Sequence, residues 1–390
     1  MISSGACWLC QLLSFSLPDA FSKTSIRLIF ASGTAMAVVL LFGAAFIRLL
    51  VSLKVGQPIR EDAGFLLGEL HKKKKNTPTM GGALIIFAVL ISSILWADWS
   101  SVFVPLLMAT LVVFGALGAF DDWAKLKSHS SKGLSGKLRL AIQTLWAVMI
   151  IIALSTPSIY QMAGFATPQL LEGGSSVEWN MWQAQVFLPF ITKSVFMAAG
   201  ITWLLIWGLQ WLTIVGAANA VNLTDGLDGL AAGCALMVSV AMALTAMMSN
   251  HQDIAAAHSI IYIQSSGEIA VLLSALAGAC LGFLWFNSFP AQVFMGDTGS
   301  LAIGGMLGTA AVLLNREWLL ALVGAIFVVE TLSVMVQVIS FKRSGKRIFL
   351  CTPLHHHFEY AGVHEAKVVM RFWIVGLILA VIGFLSLQMQ

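Results

Sequence analysis

Five aspartates, Asp121, Asp122, Asp225, Asp228 and Asp297, carry the chemistry that a reader of this chain meets first. Two are adjacent, and two are three apart in Asn219-Ala-Val-Asn-Leu-Thr-Asp-Gly-Leu-Asp-Gly229, so that on a helix Asp225 and Asp228 share a face. Neighbouring carboxylates repel one another, which invites a cation or raises a pKa. Mg²⁺ prefers oxygen ligands and commonly shares its shell with a diphosphate, so carboxylates accompanied by lysine suit Mg²⁺-bound phosphates. The matching reaction class is phosphoryl transfer, which is mainly positioning and charge neutralisation. Each aspartate also has a plainer reading: Asp121 or Asp297 as a helix cap, and 219–229 as a polar turn. A simple turn does not call for two aspartates and two asparagines, Asn219 and Asn222.

Other polar groups gather in the same kind of place. His71-Lys-Lys-Lys-Lys-Asn-Thr-Pro-Thr-Met-Gly-Gly82 reads either as a charge patch facing anionic lipid or as a phosphate-binding turn, with Lys75, the hydroxyls of Thr77 and Thr79, and amides exposed at a helix start. Lys125 follows the Asp121-Asp122 pair. In Phe286-Asn-Ser-Phe-Pro-Ala-Gln-Val-Phe-Met-Gly-Asp297, Asn287 and Phe294 could meet a planar base by hydrogen bond and stacking. His355, His356 and His357 are consecutive, so a regular helix cannot aim all three at one ion, and hydrogen bonding to phosphate is the better reading. Cys7 and Cys10 form a CxxC with no second pair, and five scattered cysteines imply no disulfide framework.

The elements that must position these residues are membrane helices. Of 390 residues, 58% are hydrophobic and 10% charged, and the mean hydropathy is +0.89, far too apolar for a soluble globule. Continuous apolar runs near the bilayer-spanning length fall at about 27–50, 80–96, 101–120, 137–156, 194–217, 229–249, 268–286, 299–315, 318–341 and 368–388. Continuous rather than alternating runs exclude a β-barrel. The eighth run is short and glycine-rich, suited to close packing on a neighbour. The fold class is therefore all-α: a polytopic integral membrane protein of about ten transmembrane helices, read as one domain over 1–390. Met1 to Leu17 lacks the basic start and cleavage site of a signal peptide.

Lysine and arginine fix the expected orientation, because positively charged loops stay in the cytoplasm. The loops after spans one, three and nine carry eighteen of the twenty-two basic residues. Odd-numbered loops then face the cytoplasm and both termini lie outside. All five aspartates sit on the cytoplasmic face, where a soluble donor would meet a lipid-borne acceptor. The outer segment 157–189, with Trp179 and Trp182 and no basic residue, reads as an interfacial loop without chemistry.

The motifs Thr-Pro-Thr-Met-Gly-Gly (77–82), Asp-Asp (121–122), Asn219 to Gly229, Phe-Leu-Trp-Phe-Asn (283–287), Pro-Ala-Gln-Val-Phe-Met-Gly-Asp-Thr-Gly-Ser (290–300) and Pro-Leu-His-His-His (353–357) resemble, in order, those of the phospho-N-acetylmuramoyl-pentapeptide transferase family. The resemblance runs from about residue 50 to the end of the chain. It implies transfer of phospho-N-acetylmuramoyl-pentapeptide from UDP-N-acetylmuramoyl-pentapeptide to undecaprenyl phosphate, giving lipid I and UMP, at the bacterial cytoplasmic (inner) membrane. It also implies Mg²⁺ as cofactor, with Asp297 and Asp225 as ligands. Asp121, Asp122 and Asp297 would be catalytic, Asp121 deprotonating or positioning the lipid phosphate. Substrate binding would fall to Lys75, Thr77, Thr79, Lys125, Asn219, Asn222, Asp225, Asp228, Asn287, Phe294, His355, His356 and His357. Membrane lipid is an expected partner, nucleic acid is not, and a homodimer is compatible with the sequence. Three other readings compete. A sister transferase using UDP-N-acetylglucosamine shares the aspartates but not the histidine triplet. A transporter would hold its charges near mid-membrane and show internal repeats. A lipid-binding scaffold leaves five aspartates unexplained.

Overall fold

The computed structural model describes residues 23–53, 77–128, 133–156, 184–258 and 260–388. In chain order the helices are α1 (Thr24–Ser52), α2 (Gly82–Trp96), α3 (Phe103–Ser128), α4 (Gly136–Ser155), α5 (Trp203–Thr224), α6 (Leu230–Ser249) and α7 (Gln252–Ala257). They continue with α8 (Ser266–Asn287), α9 (Gly296–Leu313), α10 (Glu317–Val323), α11 (Ala325–Ser344), α12 (Leu354–Tyr360) and α13 (Glu365–Gln388). The sheet among the described residues is one antiparallel pair, β1 (Gln185–Val186) with β2 (Phe196–Met197).

Each apolar run contains helix, and among the described residues eight helices are long and apolar enough to cross a membrane. The chain is an all-α, multi-pass membrane protein. The two remaining runs form α2, an apolar helix of 15 residues, and α9, of 18. In α9 every residue except Asp297 is buried, packed mainly on α3 and α5. A helix sheathed by protein need not be greasy: small residues let neighbouring backbones approach, and lipid never meets them.

Two boundaries differ from the sequence expectation. The run expected from 194 becomes helical only at Trp203, after the β1–β2 hairpin and a 3₁₀ turn at Gly200–Thr202. The run expected over 318–341 is two helices, broken at Gly324 (φ −95°, ψ 19°). Gly324 still donates to the Leu320 carbonyl at 2.8 Å, but its own carbonyl takes Phe327 N–H at 2.9 Å in a tighter i to i+3 bond, which redirects the axis.

The end of the bundle away from the aspartates is tied by a buried ion pair. Arg27 in α1 grips Glu268 in α8 through both guanidinium nitrogens, at 2.6 and 3.0 Å, and Glu268 also accepts the Asp98 N–H at 2.8 Å. Bidentate geometry with a further donor is what lets a buried pair offset its desolvation.

Candidate active site

α3 runs on past its apolar stretch to Ser128, so Asp121, Asp122 and Lys125 stand on a helix rather than in the loop expected there. Successive residues on a helix point about 100° apart, and the two aspartates accordingly do different things. Asp122 turns to the first turn of α9, accepting from Asp297 N–H at 3.2 Å, Thr298 N–H at 3.0 Å and the Thr298 hydroxyl at 2.7 Å. It caps α9 from another helix, satisfying amides that have no partner within α9. Asp121 instead meets the Leu134 N–H at 2.8 Å, the Lys125 ammonium at 2.6 Å and the side chain of Asp297.

Asp297, in the first turn of α9, is the hub. Its Oδ2 meets Lys125 Nζ at 2.9 Å and Arg139 Nη1 at 3.2 Å, and its Oδ1 accepts from Asn222 Nδ2 at 2.8 Å. Asn222 also donates to the Ser300 hydroxyl at 2.9 Å. Three helices, α3, α4 and α5, thus each place a polar side chain on the one carboxylate that α9 supplies. The Asp297 side chain is 15% exposed against 2% for Asp121, so of these two carboxylates Asp297 is the one an incoming ligand reaches first. The approach of α3 to α9 demands a glycine: a Cβ on Gly118 would lie 2.1 Å from the Asp297 carbonyl oxygen.

Asp225 follows α5 and has the Gly296 N–H as a partner. Burial, with the negative charges of Asp297 and Asp122, pushes its carboxyl up to about 8. Asp228 is buried, accepts Ala291 N–H at 3.0 Å through Oδ2, and donates its own N–H to Glu365 at 2.9 Å. These bonds make Asp228 a brace for the 288–292 turn.

Several expected contacts go elsewhere. The Gly81 and Gly82 amides, expected to be open to phosphate, donate to the carbonyls of Phe294 and Met295 at 2.8 Å each, because residues 78–82 lie in a hydrogen-bonded strip against 294–295. Thr79 is buried with its hydroxyl unpartnered, and Thr77 makes only a long 3.5 Å contact to the Ala291 carbonyl. Asn287, expected to read a base, is buried with its amide spent on Gly229 N–H (3.1 Å) and the Val293 carbonyl (2.9 Å). Phe294 is half-buried in the same strip. Asn219 donates to Gln143 of α4 at 2.7 Å, away from the aspartates. Lys75 lies outside the described residues.

The histidine triplet is on a helix, α12, and its members diverge. His355 is wholly buried, its ring 3.2 Å from Glu330 and its backbone N–H 3.1 Å from the same carboxylate. Gly226, between the 225 and 228 aspartates, leaves it room: a Cβ there would lie against the ring nitrogen Nε2. His356 bonds Glu359 at 2.7 Å, and burial holds it below the ordinary imidazole range against the pull of that carboxylate. His357 accepts Leu350 N–H at 3.1 Å.

Among the described residues, no group of three or more His, Cys, Asp or Glu side chains stands ready around one ion. The donor chemistry nonetheless fits a hard cation that shares its shell with a ligand: carboxylate oxygens at Asp297 and Asp225, where burial and the neighbouring negative charges raise the Asp225 carboxyl.

Comparison with known proteins bears on this geometry. The model of glycosyl transferase family 4 matches residues 104–315, which include all five aspartates, and a phospho-N-acetylmuramoyl-pentapeptide-transferase signature matches 74–86. A phospho-N-acetylmuramoyl-pentapeptide-transferase of Protochlamydia amoebophila (strain UWE25) is 45% identical over 97% of this chain and 98% of its own length. The chain belongs to the phospho-N-acetylmuramoyl-pentapeptide-transferase family. Proteins of the same name from Neisseria gonorrhoeae (strain NCCP11945) and Neisseria meningitidis serogroup C (strain 053442) are 41% and 40% identical, each over 95% of this chain and 96% of their own length.

In this member of the family, three site residues escaped the sequence reading. Arg139 was visible only as one more basic residue of a cytoplasmic loop, although it lies three residues into α4 and reaches Asp297. Glu330 carried a readable signal, being the one acid in the apolar run 325–341, where a charge is costly enough to imply a purpose. Glu365 carried none, since it looks like any acid in a first helical turn.

Proposed function

We propose that the chain transfers phospho-N-acetylmuramoyl-pentapeptide from its UDP carrier to undecaprenyl phosphate, giving lipid I and UMP, with the site end of the bundle in the cytoplasm. The observation that carries this reading is the Asp297 carboxylate, held by Lys125, Arg139 and Asn222 beside Asp121 and Asp225. Such a ring suits a diphosphate, whose charge the two cations neutralise. The concentration of lysine and arginine in the loops at this end supports the orientation.

In this mechanism Asp121 takes the proton of the acceptor phosphate, an acceptor oxygen bonds to the β-phosphorus of the donor, and the bond from that phosphorus to the bridging oxygen breaks, its electron pair leaving with UMP. Lys125 lies between the base and the hub and orients the acceptor phosphate. Asp122 touches no substrate and sets the position of Asp297 by holding the first turn of α9. Asp297 and Asp225 would hold Mg²⁺, which supplies charge neutralisation at the diphosphate when bound. His356 and His357 line the donor side.

The two donors separate this reading from its sister. Purified protein should release UMP from UDP-N-acetylmuramoyl-pentapeptide, and UDP-N-acetylglucosamine should neither turn over nor compete. Turnover of the simpler sugar nucleotide alone would sink the proposal.

Cation affinity supplies a pH test. With a carboxyl raised to about 8 against an ordinary value near 4, Asp225 holds a proton at neutral pH, and a bound cation must displace it. Mg²⁺ affinity measured by calorimetry should therefore rise about tenfold per pH unit from 6 to 8 and then level off. In Asp225→Asn this dependence should vanish. In the absence of a cation the same shift makes the fold lose stability as pH rises from 4 through 8, because ionisation is harder in the folded state.

A further inference from the structure

Outside the site, α11 ends in a turn whose shape is fixed and whose charge has no counterpart among the described residues. Lys342 and Arg343 close the helix, Gly345 reverses the chain in the left-handed region (φ 67°), and Lys346 and Arg347 follow. All four cations are exposed, none makes an ion pair among the described residues, and 341–350 contains no acid. The turn is pinned from both sides. Gln337 Oε1 accepts the N–H groups of Ile348 and Phe349 at 3.0 Å each, and its Nε2 donates to the Phe349 carbonyl at 3.1 Å. The Ser340 hydroxyl donates to the Lys346 carbonyl at 3.0 Å, and Leu350 N–H donates to His357. The same stretch exposes Phe341 (55%), Ile348 (57%) and Leu350 (53%).

Lys342 and Arg343 complement the C-terminus of α11, but Lys346 and Arg347 lie beyond it and gain nothing there. Four like charges in six residues repel, and a fold that fixes them with five hydrogen bonds has arranged them in advance for an anionic counterpart. Their mixture with exposed apolar side chains, at the end of a membrane helix, matches the headgroup zone of a bilayer: apolar groups rest at the acyl boundary while cations face phosphates. We propose that residues 341–350 form a preshaped docking surface for anionic bilayer lipid, the four cations pairing with headgroup phosphates and Phe341, Ile348 and Leu350 lying in the interface.

The test uses the full chain in nanodiscs of phosphatidylcholine, with phosphatidylglycerol as titrant and bound lipid counted by native mass spectrometry. Each cation contributes roughly fivefold to affinity, so K342Q/R343Q and K346Q/R347Q should each weaken phosphatidylglycerol binding about 25-fold and leave phosphatidylcholine binding unchanged. Raised salt should weaken binding to the parent in the same direction. Gln337→Ala, which keeps every charge but frees the turn, should weaken it by a smaller factor. Should a pair fail to fold, single Lys346→Gln and Arg347→Gln changes, outside any helix, carry the measurement. Parent-like phosphatidylglycerol affinity in these variants overturns the proposal. So does a raised donor KM with lipid binding intact, which would assign the cations to the acidic groups of the donor peptide.

Discussion

Asp297→Asn is expected to lower UMP release about a thousandfold while the protein stays folded. The asparagine keeps the size of the side chain and an oxygen for Asn222, so the packing of α9 survives. What is lost is charge: Arg139 no longer faces a carboxylate, Lys125 keeps only Asp121, and a cation loses a negatively charged ligand. Thermal unfolding in detergent should change little beside the effect on turnover, and Mg²⁺ affinity should fall with it. Retention of parent-like Mg²⁺ affinity would remove Asp297 from the proposed ligand set. Asp297→Ala should lower turnover similarly and stability more, because it also leaves Asn222 with one acceptor fewer.

Asp121→Asn is expected to lower kcat by a hundredfold to ten-thousandfold, the range for loss of a positioned proton acceptor. If Asp121 acts on the acceptor phosphate as proposed, the donor KM should stay near the parent value. The acid limb of the kcat profile should move as well, because Asp121 shares a hydrogen bond with Asp297 and the substitution changes what that carboxylate faces. Asp122→Asn is the instructive companion. Its carboxylate meets only α9, so the substitution should damage turnover through the placement of Asp297 and lower the melting temperature. A variant at 121 that turned over near the parent rate, beside a damaged variant at 122, would reverse the assignment of base and brace.

Eight of the ten apolar runs were legible as bilayer-crossing helices by length and composition, whereas α2 is only 15 residues long and α9 is too rich in glycine to look lipophilic. Convergence of the aspartates was legible too, since charge asymmetry among the loops put them on one side. What the sequence could not convey was direction. Asp121 and Asp122 read as a pair, and only the rotation of α3 separates one from the other. Thr77 to Gly82 read as an open turn because nothing local says that Phe294 and Met295 will take its amides. Asn287 looked like a ligand contact for the same reason: an amide beside an aromatic describes a recognition site and a turn brace equally well until its partners are known. The break at Gly324 was hidden because an apolar run passes through it without a change in composition.

The two neighbours in the Asp121-Asp122 doublet also differ in what an inhibitor could gain from them. Both oxygens of Asp122 are already engaged by three donors from the first turn of α9, so a compound seeking that carboxylate would have to unwind part of a buried helix to win a contact the protein already has. Asp297, by contrast, presents its carboxylate beside two cations that a ligand can displace or recruit without touching the backbone. Tight binders should therefore draw their polar contacts from Asp297, Lys125 and Arg139, and resistance should arise at Arg139, the member of that trio to which the proposed mechanism gives neither a metal nor the acceptor phosphate to hold.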